Sequence, residues 1–306
     1  MNRRNALYTL AMNPRERYPL VDDKLKTKEL AARFAIPTPK LLGSATYHHE
    51  LKHLGELLAP HPEFVIKPVH GAMGNGVLVV DSHDDRRFRK PSGAVMSLQD
   101  VRHYVSGIIS GLYSLGGQVD AAMVETRLHV HPFFSPICAL GVPDIRVIVY
   151  KGVPVMSMTR LPTKESDGRA NLHQGAIAAG IHILTGVTRR AVHRNKVVQV
   201  HPDTGHTVEG LQIPHWDAIL RMAAKAHDMT ALGYIGVDIV LDRDLGPQLL
   251  ELNARPGLSI QVANGAGLWW RLDAVDRLGL SGATPGERIE MGQRALAPLL
   301  AKAVKS

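Results

Sequence analysis

The chain has 306 residues, of which 45% are hydrophobic and 21% are charged, so it can bury the core of one large domain or of two lobes. Its single cysteine, Cys138, excludes an internal disulfide framework, and no apolar run approaches the ~20 residues of a membrane helix. The formal charge of +8 favours anionic partners without choosing among nucleotides, carboxylates, nucleic acid and membrane surfaces. We therefore expect a soluble cytoplasmic protein without a membrane span.

The first half of the chain predicts helices interleaved with short strands. Apolar residues recur at helical spacing over residues 22–35, 50–59 and 97–112. Strands are predicted for the apolar runs 64–67, 77–80 and 121–126. The glycine-bearing loop "HGAMGNG" joins the first two. The charged stretch 81–93 is expected to be a loop.

The second half predicts hairpins, one long helix and a C-terminal helix. Hairpins are predicted over residues 144–161, 196–210 and 234–253. Helices are predicted over residues 215–230 and in the tail, where Pro298 is expected to interrupt the second one. A polar loop is predicted at 164–175. This mixture predicts an α+β fold with antiparallel sheets rather than a βαβ nucleotide fold.

The most informative hairpin lies near residue 245. Side chains alternate along a strand, so Leu250 and Leu252 are expected on one face, with Glu251 and Asn253 on the other. A symmetric turn would then place Asp238 of the first strand opposite Glu251.

Two like charges that face each other across a sheet destabilise it by up to ~1 kcal/mol, and a cation between them relieves this. Two carboxylates and an amide oxygen suit Mg²⁺ that holds nucleotide phosphates. The alternative is the solvated polar face of an ordinary hairpin, and a register slip of one residue would remove the facing pair.

Lys67 lies in the apolar run that precedes the glycine loop. An enclosed ammonium group needs an anion. Gly71, Gly74 and Gly76 would let the loop lie close over a ligand, with backbone N–H groups directed at phosphate oxygens. Neither common phosphate-binding fingerprint is present, so the glycine loop by itself is a weak signal.

Other sites are disfavoured by the sequence. His129 and His131 in "HVH" share one face of a possible strand, but no third zinc ligand accompanies them. Cys138 lies in an apolar run and is typical of a small core residue rather than a nucleophile.

The order of motifs resembles the ATP-grasp carboxylate–amine ligases. The motifs are "DDKLKTKEL…IPTP", "FVIKP", "GAMGNG", "DIRV", "GRANLHQG", "GVDIV" and "LLELNARPG", which extend from about residue 20 to residue 265. Within this family the chain is most similar to the glutamate ligases that modify ribosomal protein tails or small acids, and more narrowly to the α-L-glutamate ligase-like branch. The resemblance implies an ATP-grasp fold, in which two subdomains with antiparallel sheets grip ATP.

The resemblance also implies roles for individual residues. Those for the nucleotide are Lys24, Lys67, Gly71, Gly74, Gly76, Glu125 and Asp144, with the lysines on the phosphates and Glu125 near adenine or ribose. Those for substrate and phosphates are Arg146, Arg169, Asn171 and Arg255, and His173 and Arg160 are further candidates for substrate contact. The implied ligands of Mg²⁺ (or Mn²⁺) are Asp238, Glu251 and Asn253.

Two features depart from the family. Only 23 residues precede Lys24, where the family usually has an N-terminal lobe, so a second copy or a partner protein is expected to replace that wall. The segment between Glu125 and Asp144 is also longer than in the ribosomal-tail enzymes. We expect an N-terminal arm over 1–20, an N-terminal subdomain over 21–125 and a C-terminal subdomain over 126–306.

The implied reaction is amide formation between a carboxylate and an amine, through an acyl phosphate, with glutamate or another amino acid and a small-molecule or peptide partner. An ATP-grasp phosphotransferase that uses the same pocket is the alternative. A non-catalytic binder of nucleotides or nucleic acid, suggested by the net charge and by "RRFRK", is disfavoured because aromatic residues are only 5% of the chain.

Overall fold

The computed structural model describes residues 5–71, 74–84, 86–114 and 117–302. The chain forms two compact units. The large unit comprises Met1–Asp22, Lys26–Thr38 and Val130–Ser306, and the small unit comprises Asp23–Leu25 and Pro39–His129.

The regular elements are as follows in chain order. The strands are β1 (Leu41–Ala45), β2 (Phe64–Pro68), β3 (Leu78–Val80), β4 (Ser82–His83), β5 (Arg87–Arg89), β6 (Val95–Ser97), β7 (Ala122–Glu125), β8 (Asp144–Tyr150), β9 (Val153–Leu161), β10 (Ile177–Ile181), β11 (Thr188–His193), β12 (Lys196–Val198), β13 (Tyr234–Asp242) and β14 (Gly246–Asn253). The α-helices are α1 (Pro19–Asp22), α2 (Lys24–Arg33), α3 (Leu54–Leu58), α4 (Leu98–Ile109), α5 (Trp216–Thr230), α6 (Ser259–Asn264), α7 (Trp269–Asp276) and α8 (Pro285–Lys302).

The small unit is built on an antiparallel sheet with the strand order β1-β7-β2-β3. Phe64 and Ile66 of β2 are fully buried and pack with the apolar face of α4. Helix α4 begins at a capping box, in which the Ser97 hydroxyl accepts a hydrogen bond from the Asp100 N–H. The predicted glycine hairpin is confirmed, because β2 and β3 pair with Phe64 opposite Val80.

The charged stretch 81–93 contains strands, so the prediction of a loop throughout was wrong. Strands β4, β5 and β6 form a three-stranded sheet of their own. Phe88 explains the difference, because its ring is buried and lies edge-on to Phe64 and stacked on His83. Phe88 is surrounded by charged residues in the sequence, so the hydrophobic pattern of this stretch does not indicate a strand.

The large unit is built on a seven-stranded antiparallel sheet with the order β12-β11-β10-β9-β8-β13-β14. One face packs with α5 and α8 in the largest core cluster, which includes Val147, Ile219 and Val237. The other face packs with α6 and α7 around Ile148 and Met158. The fold is therefore the predicted combination of helices with antiparallel sheets.

Strands β10 and β11 and helices α6 and α7 were not predicted. The predicted hairpin over 196–210 was only partly right: residues 201–206 do form a turn, but β12 pairs with β11. Helix α8 continues through Pro298 rather than stopping there. Among the described helices, none is both long and apolar enough to cross a membrane.

The register of β13 and β14 includes a bulge between Asp238 and Ile239. The prediction that Leu250 and Leu252 lie on one face of β14 was therefore wrong. Leu249 and Leu252 are the buried pair, because the bulge shifts the alternation by one position.

Candidate active site

Strand pairing places Asp238 at the centre of a row of charged residues. Asp238 of β13 lies opposite Glu251 of β14 on one side and opposite Arg146 of β8 on the other. The predicted facing carboxylates are thus confirmed. In the neighbouring row, Asp144 of β8 lies opposite Arg160 of β9.

These side chains form one continuous network of ion pairs. Arg146 binds Asp238 with two hydrogen bonds, Nε to Oδ1 at 2.6 Å and Nη2 to Oδ2 at 2.5 Å. Arg160 donates from Nη2 to Asp238 Oδ2 at 2.8 Å, from Nε to Asp144 Oδ1 at 2.6 Å and from Nη2 to Asp144 Oδ2. The Asn253 amide donates to Asp238 Oδ2 at 3.3 Å. Arg160 therefore bridges the two buried carboxylates, and Arg146 binds Asp238 alone.

Burial and pairing act in opposite directions on these groups. Burial raises the pKa of Asp238, but Arg146 and Arg160 together outweigh it, so the pKa of Asp238 lies below its usual range. For Asp144, burial outweighs the attraction of Arg160, and its pKa rises to about 6. Asp238 is accordingly the more acidic member of the pair.

The predicted metal ligands Asp238, Glu251 and Asn253 fit a hard cation in their chemistry. The Asp238 carboxylate and the partly exposed Glu251 face each other. The Asn253 amide nitrogen donates to Asp238, so the amide oxygen of Asn253 can serve as a metal ligand. Asp238 Oδ1 accepts one hydrogen bond from Arg146, so a lone pair remains on it. Within the described residues, no group of three or more His, Cys, Asp or Glu side chains is arranged to hold a metal ion. The role of Asp238, Glu251 and Asn253 as metal ligands stays a prediction.

In the small unit, Lys67 has a carboxylate partner. Its Nζ lies 2.5 Å from Glu125 Oε1, and the two side chains are only 8% and 4% exposed. Strand pairing explains this, because β7 runs beside β2 with Met123 opposite Lys67. The anion paired with this buried lysine is therefore Glu125, to which the family resemblance gave a role near adenine or ribose.

Lys24 is held at the start of the glycine loop. Its Nζ donates to the carbonyl oxygens of Val69 at 3.2 Å and Gly71 at 2.5 Å. Next to this point, the buried Asp120 accepts from the backbone N–H of His70 at 3.1 Å and contacts His70 Nδ1 at 2.7 Å. Asp120 is a residue that sequence reasoning missed, since a lone aspartate after a loop gives no signal.

The glycines of the loop differ in what surrounds them. Gly74 and Gly76 have positive φ angles of 74° and 73°. A side chain at Gly76 would lie 2.6 Å from the Tyr113 ring, whereas a side chain at Gly74 would meet nothing within 4 Å. Ala72 and Met73, which lie between Gly71 and Gly74, are outside the described residues.

The loop over 164–175 carries Arg169 and Asn171. The Asn171 side chain accepts from the His173 N–H and caps a short 3₁₀ helix, so its observed role is local. Arg169 is exposed, and its guanidinium has no hydrogen-bond partner among the described residues. Among the residues that the structure describes, no hydrogen bond or ion pair joins this pair to the Asp238 network.

Arg255 follows β14 and is exposed, with its guanidinium 5.1 Å from the centre of the Tyr18 ring. The same segment is pinned by the buried Asn13, which donates to the carbonyls of Tyr234 and Ala254 at 2.7 Å each and accepts from the Tyr234 N–H at 3.0 Å. Asn13 thus ties the start of β13 to the end of β14, and sequence reasoning missed it.

The residues disfavoured as sites have other contacts. His129 Nε2 lies 2.5 Å from Glu63 Oε1. The His131 ring accepts from the Phe133 N–H and lies edge-on to His215. Cys138 is partly buried, and burial raises the pKa of its thiol to about 11.

A glycine loop beside a buried lysine in one unit and a carboxylate–arginine network on an antiparallel sheet in the other define an ATP-grasp protein. The chain belongs to the family described as sugar-transfer associated ATP-grasp, whose model matches residues 3–277. The predicted ATP-grasp membership and fold are confirmed.

Curated relatives are similar over most of the chain. A protein of Aliivibrio salmonicida named "Probable alpha-L-glutamate ligase" is 26% identical over 271 residues, covering 87% of this chain and 66% of the relative. A protein of the same name from Legionella pneumophila (strain Corby) is 26% identical over 236 residues, covering 77% of this chain and 56% of the relative. The chain thus spans less than two thirds of the length of these relatives.

Among solved structures, a biotin carboxylase complex from Campylobacter jejuni superposes with a TM-score of 0.50 at 15% sequence identity. The match covers 92% of this chain and 47% of the carboxylase. At this identity the likeness concerns the fold alone.

Proposed function

We propose that this protein is an ATP-dependent ligase that joins a carboxylate to an amine through an acyl phosphate. The observation that carries the proposal is the facing pair Asp238 and Glu251, with two arginines on Asp238, in a chain of the ATP-grasp family. Such a set supplies carboxylates for a cation and guanidinium groups for anionic substrates.

The residues of the small unit serve the nucleotide in this proposal. Lys24 and Lys67 hold phosphate oxygens, and Gly71, Gly74 and Gly76 let the loop backbone approach them. Glu125 pairs with the Lys67 ammonium and holds it in position.

The residues of the large unit serve the metal and the reacting groups. Asp238, Glu251 and Asn253 hold Mg²⁺, which when bound neutralises phosphate charge. Arg146, Arg169 and Arg255 bind the acidic substrate and the transferring phosphoryl group, with Asn171 and Asp144 lining the site. Positioning and charge neutralisation supply the rate enhancement, so no protein nucleophile is required.

The proposed reaction has two steps. A substrate carboxylate oxygen attacks the γ-phosphorus of ATP, the bond from that phosphorus to the bridging oxygen breaks, and ADP leaves with the electron pair. The amine nitrogen then attacks the carbonyl carbon of the acyl phosphate, the carbon–oxygen bond to phosphate breaks, and the nitrogen loses a proton. The products are an amide, ADP and phosphate.

The proposed substrate is glutamate or another amino acid, because the curated relatives are named as α-L-glutamate ligases. A small-molecule or peptide partner supplies the second reacting group. Arginine binds carboxylates through two parallel hydrogen bonds, which suits a substrate with more than one carboxylate.

The test is incubation with ATP, Mg²⁺ and glutamate against a panel of amine and carboxylate acceptors. We expect ADP, phosphate and a new amide in equal amounts by mass spectrometry. Lys67→Met should abolish turnover, whereas Lys52→Met, which removes an exposed lysine of the same unit, should not. A stable phosphorylated product would instead establish a phosphotransferase, and ATP binding without turnover on the whole panel would contradict the ligase.

A further inference from the structure

A second group of cations lies at the other end of the large sheet. Arg189 and Arg190 lie on β11, and His182 follows β10, where its N–H bonds to the Val187 carbonyl at 2.8 Å. Arg271 of α7 reaches β9, where its Nη1 donates to the Val155 carbonyl at 2.7 Å. Arg189 and Arg190 lie between the paired positions Ala179–Ala191 and Ile181–Thr188, beside the stretch of β10 that leads into His182. Val155 is two residues from Ser157, which pairs with Ile181, so Arg271 reaches the same end of β10.

This group is separate from the Asp238 network. Val155, which Arg271 contacts, is five residues from Arg160 along β9, or about 16 Å at the rise of a strand. The group plays no part in the ligase proposed above, and the inference drawn from it does not depend on that proposal.

Three other buried or partly buried arginines of the large unit have carboxylate partners, whereas within the described residues Arg271 has none. Arg288 binds Asp228 with two hydrogen bonds at 2.6 and 2.7 Å, and Arg146 and Arg160 bind Asp238. Arg271 is only 2% exposed, yet its contacts are one carbonyl and the face of the Trp270 ring. Its Nε is buried without a hydrogen-bond partner.

Arg189 and Arg190 of β11 add positive charge at this end of the sheet. Throughout the part of the chain that the structure describes, neither Arg189 nor Arg190 has an ion-pair partner, and Arg190 Nε is also buried without a hydrogen bond. The Arg190 side chain lies against Gly265, where a Cβ would come within 2.6 Å of its Nη1. Burial and the charge of Arg189 hold the pKa of Arg271 down at about 10.

The pKa of His182 is affected by the same positive charges. Its pKa is lowered by burial first, and then by the charges of Arg189 and Arg271. Uncompensated cations in a partly buried place are costly, so folded proteins generally pair them with an anion. Arg271 uses one of its five N–H donors on Val155, which leaves donors for a ligand.

We propose that Arg189, Arg190, Arg271 and His182 form a binding site for a doubly charged oxyanion such as a phosphate group. Arg189, Arg190 and His182 are half-buried and give access from solvent, whereas Arg271 is buried. A guanidinium group matches the spacing of two oxygens on one phosphate, and a dianion neutralises more of this charge than a monoanion does.

The experiment is isothermal titration calorimetry of the full chain with inorganic phosphate, with acetate as the monoanion. We expect phosphate to bind with a Kd below about 1 mM and acetate to bind at least about tenfold more weakly. Arg189→Ala should weaken phosphate binding by about tenfold or more, since it removes a charge-assisted hydrogen-bond donor. Arg194→Ala is the matched control, because Arg194 is exposed, follows the same strand and already pairs with Glu165.

Three further variants identify where phosphate binds. Lys67→Met, in the proposed nucleotide site, should leave this phosphate site intact. Arg271→Met should abolish it, and if that variant does not fold, Arg189→Ala and Arg190→Ala decide the matter. Loss of phosphate binding in Lys67→Met with retention in Arg189→Ala would overturn the proposal, as would an equal loss in Arg194→Ala or no phosphate binding by the unmodified protein.

A site-specific signal comes from His182. Phosphate beside its ring should raise the pKa of His182, measured by NMR titration and assigned with His182→Gln, because the anion offsets Arg189 and Arg271. A pKa of His182 that phosphate leaves unchanged would place the anion elsewhere and overturn the proposal.

Discussion

Arg146 and Asp238 are joined by two parallel hydrogen bonds between adjacent strands, and their side chains are 13% and 2% exposed. Each strand thus supplies one half of a buried ion pair. Arg160, from the next strand along, donates to the same carboxylate. The three strands are tied together at the position where we place the chemistry.

Removal of one partner of this pair should destabilise the fold. Arg146→Met would leave Asp238 with Arg160 as its only guanidinium partner, and loss of one member of a buried pair costs about 3 kcal/mol. Urea unfolding measures the change in free energy of unfolding. Arg243→Met, which removes an exposed arginine that pairs with Asp244, is the control and should change it by less than about 1 kcal/mol. Equal effects of the two substitutions would contradict a structural role for the network.

The glycine loop offers a matched pair of substitutions. Gly74→Ala and Gly76→Ala both force a side chain into a left-handed conformation, which costs about 1 kcal/mol. Only Gly76→Ala also collides with Tyr113, which should add about 1–3 kcal/mol. Thermal unfolding of both variants should therefore rank Gly76→Ala as the less stable one. The reverse order would show that the packing of Tyr113 on this loop is not as described.

Cys138 gives a pH-dependent readout of burial. Only the thiolate reacts with alkylating agents, and burial raises the pKa of this thiol from 9.0 to about 11. A raised pKa leaves less thiolate at any pH below it, so at pH 9 the folded protein should be about 1% thiolate and the urea-unfolded chain about half. Alkylation rates of both states across pH 8–11 measure this. An inflection near pH 9 in the folded protein would contradict the burial of the Cys138 thiol described above.

Asn13 should be needed for the geometry around Asn253 and Arg255. Asn13→Ala leaves the Tyr234 N–H and two carbonyls without their buried partner, which should cost about 2–4 kcal/mol. Asn13→Asp retains an acceptor for the Tyr234 N–H but sets a carboxylate against two carbonyl oxygens, so it should be no more stable than Asn13→Ala. Denaturant unfolding compares the two variants with the unmodified protein. Variants as stable as that protein would refute the role of Asn13 as a tie between β13 and β14.

The sequence predicted the hairpin over 234–253 well because its alternation of apolar and polar residues is long and regular. The pairing of Asp238 with Glu251 followed from it and is confirmed. The bulge after Asp238 could not be predicted, since it depends on how Leu249 and Leu252 fill the core. Strand β10, "IAAGI", was missed because small residues carry little strand signal, and they occur there because α6 packs closely on them.

The partners of the site residues were harder to predict than the residues themselves. Arg160 was a candidate only for substrate contact, and its bond to Asp238 depends on the order of strands in the sheet. Likewise the partner of Lys67 became clear only from the pairing of β2 with β7, which are separated by more than fifty residues of chain. Contacts of this kind are properties of topology, which local patterns do not encode.

The most direct test of the account is ATP binding by isothermal titration calorimetry with and without Mg²⁺, in the unmodified protein and in two variants. Asp238→Asn removes the central carboxylate charge, and Asp244→Asn removes an exposed one at the tip of the same hairpin. We predict Mg²⁺-dependent ATP binding that Asp238→Asn weakens by at least about tenfold and that Asp244→Asn leaves unchanged. Binding of Mg²⁺-ATP by Asp238→Asn as tightly as by the unmodified protein would contradict the assignment of Asp238 to the metal and nucleotide site.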